Sequence, residues 1–195
     1  MIEAPAIQFD RDHRSVIAEG TSEGPVRTVL VQGEKDSASN QPNGAKTGPL
    51  GRSSPITVTA KRLSYVDSDR KVHYDGGVLA EGTGFTASSK TADAYLLARN
   101  LSASNQTVSG VGRLDRMVAQ GNVAVQQTGR RAEGETLVYT AADDKFVLTG
   151  GPPSIFDAEQ GKITGVSLTL FRGDDRVVVE GDSSLPAITR TRVVR

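Results

Sequence analysis

The chain has 195 residues, with 23 Lys and Arg against 23 Asp and Glu, so its formal net charge is zero. That balance gives no bulk electrostatic argument for a nucleic-acid partner or an anionic membrane surface. There is no cysteine, which excludes disulfides and thiolate metal sites. The length suits one large or two small β domains. Glycine is abundant, aromatics make up only 5%, and tryptophan is absent. No apolar run approaches the length of a membrane-crossing helix.

In chain order, Met1-Ile-Glu-Ala-Pro5 lacks the basic and apolar regions of a signal peptide. The β pattern begins almost at once. Either the chain is cytosolic or its export signal lies outside this sequence, and the early start favours the second reading. Residues 6–20 read as a hairpin, with Ile7 and Phe9 on one strand, Val16 and Ala18 on the next, and Asp10-Arg-Asp-His13 in the turn. Val26 to Val31 is another β-rich run. From 32 to 54 the sequence is Gly, Ser, Asn, Pro, Lys and Gln around one isolated leucine, which predicts a flexible loop.

Ile56, Val58 and Ala60 restart the alternation. Leu63 and Tyr65 are out of phase with them by one residue, which predicts a bulge or corner near Lys61-Arg62. Asp67 to Arg70 is the next turn, with Val72 and Tyr74 beyond it. Gly76–Gly82 and the run from Phe85 are short strands, and Thr91–Leu97 reads as a strand or a single helical turn. Residues 98–112 are polar and loop-like. Arg113–Val125 is apolar in alternation, with a local twist or turn at Gly121-Asn122. Leu137 and Tyr139 lead into the turn at 141–145, followed by Phe146 and Leu148. Gly151-Pro-Pro153 stops a straight continuation. Leu168 and Leu170, a turn at 173–176, and Val177 and Val179 complete the series. Residues 188–194 form a possible terminal strand.

Four of these hairpins share one gapless frame. Apolar residues stand thirteen, eleven, four and two places before a glycine at Gly20, Gly76, Gly150 and Gly181, and Met117 and Ala119 give a weaker copy before Gly121. Period-two alternation puts each pair on one strand face. Hairpins repeated in register predict an all-β architecture of roughly 13 to 16 strands at the usual strand length.

No catalytic set emerges. His13 falls in a turn, and His73 lies on the strand face opposite Val72 and Tyr74; both read as surface residues. No His-rich zinc motif is present. The acids gather at the turns (Asp10/Asp12, Asp67/Asp69, Asp143/Asp144, Asp174/Asp175), where aspartate bonds its own backbone. Calcium at those turns is the sharper alternative, without the glycine-rich nonapeptide that would support it. A glycosidase needs paired carboxylates facing a cleft, which acids at turns do not supply. Gly82-Thr-Gly84 lacks the helix and the Lys-Ser/Thr of a phosphate loop. Asn100-Leu-Ser and Asn105-Gln-Thr match the glycosylation sequon. Lys61-Arg62, Arg130-Arg131 and Arg190/Arg192/Arg195 sit at strand ends, suited to edge protection or to the anionic groups of an amphiphile.

The frame also resembles a known family. Ala60-Lys-Arg-Leu-Ser-Tyr65 followed by Val72-His-Tyr-Asp-Gly-Gly-Val78 is similar to the A-x-x-L-x-Y … G-x-V repeat of the OstA-like, LptA-type lipopolysaccharide-transport family. Ala132–Tyr139 followed by Phe146–Gly151 is a second copy, and Met117-Val-Ala-Gln-Gly-Asn-Val123 looks like the family's A-x-G-N-V step. The resemblance runs from about residue 6 to 182, leaving out the 32–54 loop. It implies an open β-jellyroll of repeated hairpins, two antiparallel sheets folded as a taco, with 1–31 as an N-terminal hairpin region, 32–54 as the loop and 55–195 as the jellyroll repeats. It implies a non-enzymatic periplasmic carrier or bridge with no cofactor, no metal and no nucleic-acid partner. Its apolar trough would hold the acyl chains of lipopolysaccharide on the way to the outer membrane. Partners would be other jellyroll-containing transport components, through end-strand pairing, and other copies of the chain, head to tail. The lining expected is Leu63, Tyr65, Val72, Tyr74, Leu137, Tyr139, Phe146, Leu148, Leu168, Leu170, Val177 and Val179. The competing expectation is a structural β-solenoid or adhesion-type stacking module, in which the same residues form a dry core.

Overall fold

The computed structural model describes residues 1–21, 23–32, 55–97, 113–158, 161–171, 176–184 and 186–190. Of the loop predicted at 32–54 only Gln32 is described, and it ends a strand rather than beginning the loop; residues 33–54, the loop predicted at 98–112 and the chain after Arg190 lie outside the described residues. The strands are β1 (Ile2–Glu3), β2 (Ala6–Asp10), β3 (Ser15–Glu19), β4 (Val26–Gln32), β5 (Ile56–Ala60), β6 (Arg62–Val66), β7 (Lys71–Asp75), β8 (Val78–Gly82) and β9 (Phe85–Ser89). They continue as β10 (Thr91–Leu96), β11 (Arg113–Gln127), β12 (Arg130–Thr140), β13 (Lys145–Thr149), β14 (Ser154–Asp157), β15 (Gly161–Thr164), β16 (Ser167–Phe171), β17 (Val177–Glu180) and β18 (Ile188–Arg190). Among the described residues eighteen strands replace the 13 to 16 expected, because corners divide runs that alternation alone joins.

Hydrogen bonds connect all the strands into one sheet, and the pairings resolve it into two layers. Layer 1 runs β1-β4-β5-β8-β9, then the second half of β11, the first half of β12, β14, β15 and β18. Layer 2 runs β2-β3-β6-β7-β10, then the first half of β11, the second half of β12, β13, β16 and β17. The predicted hairpin region 1–31 pairs into both layers, β3 with β6 and β4 with β5. This is the open β-jellyroll, built of repeated antiparallel hairpins.

The layers meet at a crease that each traverse of the chain must cross. Backbone bonds run along it: Gly20 N–H to Lys61 O at 2.7 Å, Gly77 N–H to Lys90 O at 3.1 Å, Lys90 N–H to Gly121 O at 2.9 Å, Glu135 N–H to Gly150 O at 3.0 Å and Gly165 N–H to Pro153 O at 3.2 Å. The recurrent frame glycine is therefore the residue that turns the chain from layer 2 into layer 1. Gly76, Gly121 and Gly150 have φ of 85°, 82° and 76°, a region that a Cβ disfavours. The corner predicted at Lys61-Arg62 lies on this line, as does the twist at Gly121-Asn122, where the β11–β12 register shifts. At the opposite rim of layer 2, three hairpin turns end in a left-handed residue: Arg14, Arg70 and Asp144.

Two adjacent glycines test the crease. A Cβ on Gly76 would sit 2.7 Å from the Cβ of Lys61, whereas one on Gly77, at a similar φ, would meet nothing within 4 Å. Gly77→Ala carries only the backbone strain, about 1–3 kcal/mol, and Gly76→Ala adds the clash. Urea denaturation is expected to rank Gly76→Ala as clearly the less stable; equal losses would show that the crease has room to spare.

Candidate functional site

The inner faces of the two layers form the candidate site. On layer 2, Leu63, Tyr74, Leu137, Tyr139, Phe146, Leu148, Leu168 and Leu170 are at most 2% exposed, and Val72 is buried. Tyr65, Val177 and Val179 are partly buried and pack against that cluster. All twelve predicted residues thus share one interior. The frame pointed only to layer 2. Layer 1 supplies the facing wall: Ile56, Val58, Ala60, Val78, Phe85, Val123, Val125 and Ile155, all buried. Alternation at Ile56/Val58/Ala60 was the signal for that wall in the sequence.

Contacts between the layers fix how the interior is filled. The Phe85 ring on β9 lies 5.0 Å from that of Phe146 on β13, and Phe146 lies 4.9 Å from Tyr139. These tilted aromatic pairs join the layers midway along the stack of strands, at the rim away from the crease. Toward the N-terminal end, Thr28 Oγ1 on β4 and Tyr74 Oη on β7 form a buried hydrogen bond of 2.8 Å. Burial pushes the Tyr74 hydroxyl up to about 12, against the opposing effect of the Thr28 bond. The two remaining frame tyrosines lie at the rim of layer 2, and each donates to a turn aspartate. Tyr65 bonds Asp67 Oδ1 at 2.8 Å and Tyr139 bonds Asp144 Oδ1 at 2.9 Å.

Both ends of the interior are looser. At the N-terminal end, β2 pairs on one side with β3, and Ile7 and Phe9 are 51% and 64% exposed. Alternation placed these two on a hairpin face without showing that, among the described residues, no strand of layer 1 covers them. At the C-terminal end, Ile163, Val177 and Val179 are only partly buried. A hollow of about 450 Å³ lined by Glu3, Pro5, Pro25, Arg27, Thr59 and Glu81 lies on the outer side of layer 1, not between the layers.

The polar residues singled out by sequence take structural places. Asp10 Oδ1 accepts from the backbone N–H of Asp12 and His13, and its Oδ2 meets His13 Nδ1 at 2.8 Å. The His13 backbone N–H, chiefly, holds the Asp10 carboxyl below the usual range. His73 Nδ1 lies 2.6 Å from Asp93 Oδ1 on the outer face of layer 2, a partner that the sequence does not reveal because Asp93 is three strands further on. Arg14 bridges to Asp67, Arg130 to Asp157 and Arg131 to Glu133. Among the described residues, no group of three or more His, Cys, Asp or Glu is placed to hold a metal.

No family model matches the chain, and no curated protein matches it. Solved structures do. One is LptH from Pseudomonas aeruginosa, described as the LptA-homologous periplasmic component of the conserved lipopolysaccharide transport device. It superposes with a TM-score of 0.53 at 17% identity, over 72% of this chain and 95% of that one. At that identity the likeness shows the fold. The chain has an LptA-like fold.

The Thr28–Tyr74 pair yields two predictions. Thr28→Val leaves a buried phenol without its partner and is expected to cost about 1–3 kcal/mol. The double variant Thr28→Val/Tyr74→Phe removes both polar groups and should recover part of that loss in chemical denaturation. The raised Tyr74 value also sets a pH dependence. The folded state keeps this proton while the unfolded tyrosine loses its own near pH 10, so stability is intact below about 10 and falls as pH rises toward about 12. Tyr74→Phe should flatten that alkaline slope; an unchanged slope would assign it to other groups.

Proposed function

We propose that this chain is a non-enzymatic periplasmic carrier that holds the acyl chains of lipopolysaccharide between its two layers, as one segment of a bridge toward the outer membrane. The observation that carries this reading is the shared fold with a periplasmic lipopolysaccharide-transport component, over nearly all of that protein's length. The interior supports it: two apolar inner faces meet along a crease, with no ionisable side chain except tyrosine among the buried residues. Acyl chains gain about 0.8 kcal/mol per buried methylene in such surroundings.

The ends support a role in a chain of partners. Among the described residues, β2 pairs only with β3, β17 only with β16 and β18 only with β15. Each therefore presents a free main-chain edge, suited to strand addition by another jellyroll component or by a second copy, head to tail. In this reading the hairpin region 1–31 is the docking end, and residues 32–54 are an insertion between it and the repeats at 55–195. One observation favours the alternative of a stacking module without cargo: the middle of the interior is filled by its own side chains.

Photo-crosslinking separates the two readings. A photoreactive residue replaces Leu148 or Tyr139 in cells that make lipopolysaccharide, with His73 on the outer face as control. Adducts at the inner positions alone are expected. A folded, exported protein giving none there would leave the stacking module as the better reading.

A further inference from the structure

The side of the molecule opposite the crease is where an apolar cargo would have to pass between the layers. That side is not fully open. The end of β4 in layer 1 pairs with the start of β11 in layer 2, Val31 with Arg113 and Gln32 with Leu114. This is the one parallel pairing among the described residues; all others are antiparallel. It is also short, two residue pairs, where the neighbouring β4–β5 ladder has five. Behind it Leu30 and Leu114 are at most 1% exposed, while Val31 itself is 40% exposed. On the layer 2 side, Leu97 N–H donates to Arg113 O at 2.8 Å, so the start of β11 is anchored to the end of β10. Among the described residues the end of β4 has no such ladder: its pairing with β5 stops at Leu30, opposite Ile56.

We propose that the β4–β11 pairing is a releasable strap across the seam, and that acyl cargo enters between the layers when Val31–Gln32 comes off Arg113–Leu114. The proposal rests on the carrier reading above and adds how the carrier opens. The asymmetry of the contact gives its direction. A short parallel contact at the end of a strand has few bonds to break and is the kind of element that opens locally while the rest stays folded. β4 is the side that lifts, because β11 is held in layer 2 by β10 and β12. Lifting it uncovers Leu30 and Leu114 and gives access to the interior behind them.

The natural absence of cysteine makes the test clean. Val31 and Arg113 are register partners, and neighbouring strands hold such partners at a separation a disulfide spans. The full chain carrying Val31→Cys and Arg113→Cys is purified and mixed with fluorescently labelled lipopolysaccharide. Reduced, it is expected to bind as the unaltered chain does; oxidised, at least tenfold more slowly, with reductant restoring the rate. Thr169→Cys with Val178→Cys locks a pair on the outer face of layer 2 and should leave binding unchanged on oxidation. A second variant, Val31→Pro, weakens the strap beyond the β4–β5 ladder and is expected to speed uptake at least threefold. Oxidised protein that binds within twofold of reduced protein, or a Val31→Pro chain no faster than the unaltered one, overturns the strap and leaves the carrier reading standing. No binding by the unaltered chain in any state overturns the carrier reading, and the strap with it.

Discussion

The crease is the constraint on which the rest of the structure depends. A two-layer β structure of this length must turn its chain from one layer to the other many times, and every turn must keep its backbone groups bonded. Here one line of N–H to carbonyl bonds does so, from Gly20 through Lys61, Lys90 and Gly121 to Gly150, Pro153 and Gly165. Glycine stands where the turn needs positive φ or where a Cβ would strike the neighbouring traverse. With the crease fixed, alternation does the remaining work. Residues two places apart face inward, and the frame repeats because each hairpin reaches the crease at the same distance from its turn.

This explains why the fold was legible in the sequence and where legibility stopped. Leu63/Tyr65/Val72/Tyr74 before Gly76 and Leu137/Tyr139/Phe146/Leu148 before Gly150 stand in one frame because each describes one layer 2 hairpin, complete from turn to crease. Layer 1 has no such frame. Its strands are parts of longer runs, as in β11 and β12, or adjoin corners of varied chemistry, Lys61 after β5 and Gly151-Pro-Pro153 before β14, so its wall of Ile56, Val58, Phe85 and Ile155 carries no common spacing. Contacts between the layers were not legible at all. Thr28 and Tyr74 lie on strands far apart in sequence, as do Phe85 and Phe146, and alternation says only that each faces inward, not which residue it meets. The exposure of Ile7 and Phe9 was hidden for the same reason: one strand's pattern does not reveal whether the opposite layer extends over it.

The interior combines two kinds of packing. Around the seam's middle, aromatic rings from the two layers meet. At the N-terminal side the layers are also joined by the Thr28–Tyr74 hydroxyl pair. A buried pair of this kind adds little net stability but fixes which residues oppose each other, because either group alone in an apolar core is costly. The layers are thus held in one register by a polar contact and a ring cluster, while the outermost strands of layer 2 are less well covered: Ile7 and Phe9 on β2 are exposed, and Val177 and Val179 on β17 only partly buried.

A filled interior and a role in carrying lipid are physically compatible. A trough walled by Leu, Val, Ile and Phe from both layers would, standing empty and open, expose a continuous apolar surface far larger than soluble proteins tolerate. Each buried Leu or Phe would forfeit roughly 1.5–3 kcal/mol. An empty carrier of this architecture must therefore close on itself, and the side chains at 0–2% exposure are what closure looks like. Loading with lipid would exchange one apolar contact for another. Side chains that face each other across the layers would come to face acyl chains instead, with little change in area hidden from water, so the cost would lie in parting the layers rather than in exposing them. That cost is smallest where the layers are joined by the fewest bonds. The crease, with its recurring backbone bonds, is the hinge such a motion would keep; the short parallel contact on the opposite side is the part it would give up.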